Sequence, residues 1–267
     1  MSTKLVFLKL GGSLITVKSQ PHTPRLDVLE RLAQEIAHAR SQNKGLQILL
    51  GHGSGSFGHV PASKYHTRRG VRSNEEWIGF IEVWREATAL NHLVIQAFEK
   101  AGLPTIVFPP SAAVTTREGK VITWNLDPLL SSLRGGLIPV VYGDVVFDQV
   151  LGGTILSTED LFAHLAPQLH PTQLLFAGIQ PGVWLDYPEN TTLLPEITSA
   201  NFPKIVVGLT GSAATDVTGG MLDKVQQILS MIKEVPGSSG SIFSGEMPDN
   251  VYHSLLGEEL GTVIHDA

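Results

Sequence analysis

The sequence predicts an α/β fold: a mostly parallel sheet covered by helices on both faces, with two lobes sharing one continuous sheet. Two observations carry this. Short continuous apolar runs alternate with segments whose apolar residues recur every three or four positions, the pattern of strands buried on both faces and of the helices that cover them. Glycine clusters also follow directly on several strand-like runs, where the loops of such a sheet gather to bind ligands.

Leu5 to Leu10 is the first strand and ends at Gly11-Gly12. Thr23-Pro24 supplies an N-cap and a proline for the start of a helix carrying Leu26, Leu29, Leu32, Ile36 and Ala37. Leu46 to Leu50 is a strand that runs into a glycine cluster. Glu75 to Ala101 is a long helix, with Trp77, Ile81, Trp84, Thr88, Asn91 and Ile95 three or four apart. Thr105 to Phe108 and Ile138 to Tyr142 are buried strands, and Val145 to Gly153 a hairpin. Leu161 to Leu169 is a helix, Leu174 to Ala177 a strand, and Ile205 to Leu209 another strand. Gly208 to Gly220 is the most loop-like stretch, and the stripe Met221, Val225, Ile228, Leu229 and Ile232 marks a helix beyond it. Ser241 to Phe243 and Thr262 to Ile264 close the chain as short strands.

Composition excludes several function classes. Of the 267 residues 42% are hydrophobic and 16% charged, which is too apolar for a disordered chain. Cysteine is absent, so a disulfide scaffold, thiolate metal sites and a cysteine nucleophile are ruled out. The formal net charge is −6, where a nucleic-acid binder would show a basic excess. No apolar run approaches the ~18 residues of a membrane span, and the first one, interrupted by Lys9, is too short for a secretory signal. The expectation is a soluble cytoplasmic protein that engages neither nucleic acid nor membrane.

Three glycine segments carry the chemistry. Lys9-Leu10-Gly11-Gly12-Ser13 is a strand running into a turn whose amides can approach an anion, with Lys18 beyond it. Taken alone, Lys9 reads equally as a lysine snorkelling from a sheet. Gly53, Gly55 and Gly58 match the dinucleotide-binding spacing G-x-G-x-x-G, but that fingerprint needs a second strand ending in an acidic residue, and Tyr65 to Glu76 is no strand. What remains is an anion cradle, Gly53-Ser54-Gly55, with His59 beside it to donate a charge-assisted bond. The seven-residue spacing of His52, His59 and His66 does not build a zinc site in so glycine-rich a stretch; no metal ligands are assigned. Thr218-Gly219-Gly220 opens a helix with Lys224 one turn in, which fits either an anion-gripping helix start or an ordinary cap. Thr158-Glu159-Asp160 adds carboxylates at another helix start, where capping alone would place them. P-loop, nucleophile-elbow and protein-kinase motifs are absent. Together the glycine turns, lysines and histidine describe phosphoryl transfer between two anions.

In these residues, together with Tyr142-Gly143-Asp144, Asp216-Val217-Thr218-Gly219-Gly220-Met221 and the closing Leu255-Leu256-Gly257-Glu258-Glu259, the chain resembles the isopentenyl phosphate kinases of the amino acid kinase superfamily almost end to end. The glycine loop ending in His59 is the most specific part; fosfomycin kinases of the same superfamily are the family most easily confused with it. The resemblance implies a three-layer α/β/α sandwich. Residues 1–170 would form an N-terminal lobe holding the acceptor, and residues 171–267 a C-terminal lobe holding ATP with Mg2+. It further implies a homodimer. By the same resemblance Lys9, Gly11, Gly12 and Ser13 contact the ATP phosphates and Lys18 stabilises the γ-phosphoryl group. Ser54 and Gly55 lie between acceptor and donor, Gly53 and Ser54 touching the acceptor and Gly55 the ATP, His59 binds the acceptor phosphate, and Gly220 and Lys224 grip ATP. Trp77, Ile81 and Trp84 would wall the isoprenoid tail, or pack as core. Two segments depart from the family. Thr158-Glu159-Asp160 stands where many members have Gly-Asp-Asp or Gly-Asp-Gln, so Thr158 would meet the acceptor and Glu159 would order the lysines. Gly178-Ile179-Gln180-Pro181-Gly182-Val183 replaces Thr-Asp-Val-Asp-Gly-Val, removing carboxylates on the nucleotide side. Two other readings remain open: a kinase of another small phosphate or phosphonate such as fosfomycin, and a non-catalytic nucleotide sensor.

Overall fold

The computed structural model describes residues 4–186, 189–210 and 218–266. Its strands are β1 (Lys4–Leu10), β2 (Leu46–His52), β3 (Thr105–Val107), β4 (Val114–Arg117), β5 (Lys120–Trp124), β6 (Ile138–Tyr142), β7 (Asp144–Asp148), β8 (Gly152–Leu156), β9 (Gln173–Gly178), β10 (Val183–Trp184), β11 (Leu193–Leu194), β12 (Glu196–Thr198), β13 (Ser239–Ser244) and β14 (Thr262–His265). The helices are α1 (Gly12–Ile15), α2 (Leu26–Gln42), α3 (Gly55–Tyr65), α4 (Asn74–Lys100), α5 (Pro110–Ala113), α6 (Asp127–Arg134), α7 (Thr158–Leu169), α8 (Phe202–Thr210), α9 (Thr218–Glu234) and α10 (Asn250–Leu256).

The main sheet has the order β12-β14-β13-β9-β1-β2-β6-β3. Only the β13–β14 pair is antiparallel, and β1 lies in the middle, paired in parallel with β2 and β9. Strand parity sorts the side chains. Leu5 and Phe7 point into a core shared with α6, α7, α8 and α9, whereas Val6, Leu8 and Leu10 point into a core shared with α1, α2, α4 and α10. Alternate residues therefore bury two separate helical layers, and the three-layer sandwich follows. The same parity puts Lys9 on the α7 and α9 side and His52 on the α4 side.

A four-stranded sheet, β5-β4-β7-β8, stands beside the main one. Asp148 ties it together. Its carboxylate accepts from the Thr116 hydroxyl at 2.7 Å and from the amides of Glu118, Gly119, Val150 and Leu151 at 2.8–3.1 Å, so one side chain pins both hairpin turns. Burial pushes this carboxyl up, but the amides and the hydroxyl outweigh it and hold the group well below the usual carboxylate range. A depressed folded pKa contributes stability above the unfolded value of about 4 and loses it as pH falls toward the lower folded value. Asp148→Asn turns an NH2 group toward these donors. It is expected to cost about 2–3 kcal/mol at neutral pH and to flatten the acid limb of the stability profile below about pH 4, as read by urea unfolding from pH 7 to pH 3.

One predicted element is corrected. Ile205 to Leu209 lies within the helix α8, not a strand. A five-residue apolar run has no period of its own; the decisive signals are Asn201, whose side chain and amide exchange hydrogen bonds with Thr198 at 2.8 and 3.1 Å, and Pro203 in the first turn. Gly208 to Thr210, at the start of the stretch read as loop, are helical, whereas Thr218-Gly219-Gly220 opens the helix α9 as expected; the rest of that stretch, Gly211 to Val217 with Thr215 and Asp216, lies outside the described residues. The predicted strand ends at Leu10 and Tyr142 and the long fourth helix match the structure within a residue.

Candidate active site

The parallel strands β1, β2, β6, β9 and β13 end side by side, and glycine closes β9, as Gly178, and directly follows the other four, as Gly11-Gly12, Gly53, Gly143 and Gly245. The backbones of neighbouring loops touch there. A Cβ on Gly12 would lie 2.6 Å from the Gly55 amide nitrogen. Gly55, at φ +50°, would put a Cβ 2.2 Å from Thr16 Oγ1. Thr16 joins the two turns: its hydroxyl donates to the Gly12 carbonyl at 2.7 Å and accepts from the Ser56 amide at 2.9 Å. Ser54 is the N-cap of α3, so the second glycine turn is a helix N-terminus, favourable to an anion.

Charged groups surround these turns. Lys9 is only 8% exposed and pairs with Glu159, which is 9% exposed in the first turn of α7. Burial pushes the Glu159 carboxyl up, but the Lys9 ammonium and its hydrogen bond, the residue's own amide and the charge of Lys224 prevail, leaving it below the usual range. Lys224, in the second turn of α9, is held below the ordinary lysine value by burial and by the charges of Lys9 and Lys18, with Glu159 opposing. His59, on α3, opens to solvent on one side; desolvation by its surroundings, then the charges of Lys18 and Lys9, hold its imidazole below the ordinary value. Lys18 is exposed in the turn after α1. The charges of Lys9 and Lys18 thus reach both His59 and Lys224, and among the described residues Glu159 is the carboxylate that enters the same electrostatics.

Thr158, Gly220, Gln180 and the side chains of α4 complete the expected set. Thr158 is 1% exposed and its hydroxyl donates to the His52 carbonyl at 2.6 Å, so the side chain braces β2 and offers nothing to an acceptor. Gly220 is exposed at the start of α9. Gln180 accepts from the Trp184 indole at 3.0 Å, an internal tie within the loop that departs from the family. Trp77 packs with Phe80 at 5.1 Å and Phe147 at 6.1 Å, beside a small apolar cluster of Val71, Phe80, Val83 and Val145. Ile81 and Trp84 do not join it; they are 45% and 42% exposed, one face round the helix. Of the three tail candidates only Trp77 stands at an apolar wall. Thr16 carries no signal in the sequence, because a single threonine four residues after a glycine has no signature until a second loop comes to rest on it.

No helix among the described residues is long and apolar enough to cross a membrane. Among the described residues no group of three or more His, Asp or Glu side chains is arranged to hold a metal ion.

A three-layer fold with glycine turns and convergent cations at its strand ends defines a phosphoryl-handling enzyme class. The chain belongs to the amino acid kinase family, whose family model matches residues 4–240. Within it, the chain is similar to the isopentenyl phosphate kinase of Methanocaldococcus jannaschii, 34% identical with 97% of this chain and 98% of that one covered. The isopentenyl phosphate kinase of Methanothermobacter thermautotrophicus is 32% identical, covering 96% and 97%. A crystal structure of an isopentenyl phosphate kinase superposes with a TM-score of 0.81 at 29% identity, covering 97% of this chain and 99% of that one.

Proposed function

We propose that the chain transfers the γ-phosphoryl group of ATP to isopentenyl phosphate, giving isopentenyl diphosphate and ADP. An oxygen of the acceptor phosphate forms the new bond to the γ-phosphorus as the bond to the β,γ-bridging oxygen of ADP breaks. The observation that carries the reading is a pair of touching glycine turns with Lys9 and Lys18 near enough to act on both His59 and Lys224. Two polyanions meeting head to head need such positive density, and the chemistry asks little else of the protein. The full-length likeness to isopentenyl phosphate kinases supports the choice of acceptor.

In this reading Lys9, fixed by Glu159, and the Gly11-Gly12-Ser13 turn hold the ATP phosphates. Lys224 and the amide of Gly220 grip them from the other side. Lys18 meets charge on the group in transfer. Gly53, Ser54 and Gly55 separate acceptor from donor, and His59 takes the acceptor phosphate. The apolar wall of Trp77, Phe80 and Phe147 receives the isoprenoid tail. Residues 1–170 form the acceptor lobe and residues 171–267 the nucleotide lobe. Magnesium would arrive on the nucleotide, held by phosphate oxygens, and would supply further charge neutralisation. The reading extends to a cytoplasmic homodimer; the exposed Ile78, Ile81 and Trp84 on α4 are apolar surface that a second copy would cover.

The test is incubation of the purified chain with Mg-ATP and isopentenyl phosphate, followed by 31P NMR. A diphosphate product is expected. No product at micromolar enzyme, or turnover of another phosphate or phosphonate alone, would overturn the proposal. His59→Ala is expected to raise KM for the acceptor about 10- to 100-fold, the value of one charge-assisted hydrogen bond, while His59→Gln retains part of the affinity. Steady-state kinetics at saturating ATP checks both.

A further inference from the structure

His52 is a fully buried titratable residue for which the reaction above has no use. It ends β2, one residue before the glycine turn, and is 0% exposed. Its ring stacks on Tyr142 with centroids 5.3 Å apart and planes at 7°. Nδ1 lies 3.2 Å from the Gly53 carbonyl oxygen and Nε2 3.1 Å from Oδ1 of Asn91 on α4. Its own carbonyl accepts from the Gly143 amide at 3.1 Å and the Thr158 hydroxyl at 2.6 Å. The residue therefore joins β2, β6, α4 and α7 directly behind the cradle.

The chemistry of the contacts selects a tautomer. A carbonyl oxygen can only accept, so Nδ1 must carry the proton that reaches Gly53. Burial holds the imidazole below its ordinary value, with Asn91 and Gly53 opposing and the Lys9 charge adding to the effect, and a neutral ring leaves Nε2 as an acceptor. Asn91 must then turn its amide so that NH2 faces the ring, a flip the contact distance permits.

We propose that His52 is a positioning residue for phosphoryl transfer: held by Asn91 and Tyr142, it donates its Nδ1 proton to the Gly53 carbonyl and so fixes the Gly53-Ser54-Gly55 turn from which α3 and His59 depart. The proposal rests on the kinase reading. It also explains why a histidine stands where any apolar side chain would bury as well: an apolar residue would leave the Gly53 carbonyl without the imidazole donor, and the turn would be held only by the Gly53 amide on Leu10 and by Thr16 on the Ser56 amide. The helix that supports the ring, α4, is the one whose first turns carry Trp77 and Phe80 toward the tail wall, so the acceptor's two ends are held by a single rigid element.

The experiment compares His52→Phe, His52→Asn and Asn91→Leu with the wild-type chain in kinetics and urea unfolding, alongside 15N NMR of the wild-type imidazoles. His52→Phe keeps the stack and loses the donor. It is expected to lower kcat about 100-fold, the scale of a misplaced reacting group, with a smaller change in KM for ATP. His52→Asn, which restores an amide donor close to Gly53, is expected to recover part of kcat, and Asn91→Leu to lower kcat less than His52→Phe. The spectrum should show a buried histidine protonated at Nδ1 and not at Nε2. An Nε2–H tautomer would overturn the proposal even if the variants fail to fold, and so would folded His52→Phe with unchanged kcat. A merely structural role would lower the unfolding midpoint without a loss of kcat that asparagine rescues. A wild-type chain that makes no isopentenyl diphosphate would instead overturn the kinase reading, which the tautomer measurement leaves separate.

Discussion

Lys18→Met is expected to lower kcat about 100- to 1,000-fold, the loss seen when one preorganised charge-stabilising donor is removed, and to change KM for either substrate by less than about 3-fold. The structure gives three reasons. Lys18 is exposed and forms no ion pair among the described residues, so its removal leaves no partner stranded and its stability cost should stay within about 0.5 kcal/mol. It nonetheless lies close enough to depress the protonation of both His59 and Lys224, which in the proposed reading sets its charge between the acceptor side and the nucleotide side. A charge in that place meets the phosphoryl group most strongly when negative charge is shared between the incoming and departing oxygens, so it is strengthened in the transition state and not in the ground state. Lys18→Arg should recover only part of the rate, because the planar guanidinium does not reproduce a point charge on a flexible stem. An independent readout follows from the electrostatics. Since Lys18 lowers the His59 pKa, its loss must raise it, and the His59 imidazole of Lys18→Met should titrate at higher pH than in the wild type by NMR. Weakened binding with unchanged turnover, or an unmoved His59, would contradict the assigned role.

The parts of this site that the sequence disclosed are those whose signal is local. A glycine pair after an apolar run locates a strand end, and Lys9, alternating with Phe7 and Leu5, inherits their face of the sheet. His59 stands out because it follows a glycine cradle. The parts that stayed hidden depend on contacts between distant segments. Thr16 bridges two loops whose sequence positions differ by 40. Thr158, expected to face the acceptor, is drawn into the scaffold because Gly51 lets α7 come so close that a Cβ there would sit 2.4 Å from its methyl group. Trp77, Ile81 and Trp84 share helical spacing, yet α4 is covered on one side only, and periodicity does not say which flank of an apolar stripe meets the neighbouring sheet. The strand expected at Ile205 to Leu209 failed for a related reason: β-branched residues favour a strand, and the reciprocal Thr198–Asn201 hydrogen bonds that turn the chain ahead of Pro203 overrode that preference.

Removing the carboxylate behind the cleft should be the most destructive single change. Glu159→Ala leaves the Lys9 ammonium buried on the α7 side of β1 without its partner, and breaking a buried pair from one side costs about 3–5 kcal/mol. Glu159→Asp keeps the charge with one methylene less and should cost markedly less, in line with the aspartate that the resemblance places at this position. The double change Lys9→Met with Glu159→Leu removes both charges and should be more stable than Glu159→Ala alone, although inactive, so a double-mutant cycle by urea unfolding separates the pair from its surroundings. The pH dependence has a definite sign. The folded Glu159 carboxyl sits below its ordinary value, so its contribution is present above the unfolded value of about 4.3 and is lost only as pH falls toward the lower folded value; in Glu159→Ala that acid-dependent part disappears. A second consequence appears at the alkaline end. Glu159 is the group that supports the charge on Lys224 against burial, Lys9 and Lys18. Without it the Lys224 pKa falls further, and kcat/KM for Mg-ATP should decline at lower pH than in the wild type. An alkaline limb unchanged in Glu159→Ala would mean that Lys224 is not electrostatically tied to this pair, and the arrangement of cations proposed for the donor phosphates would have to be abandoned.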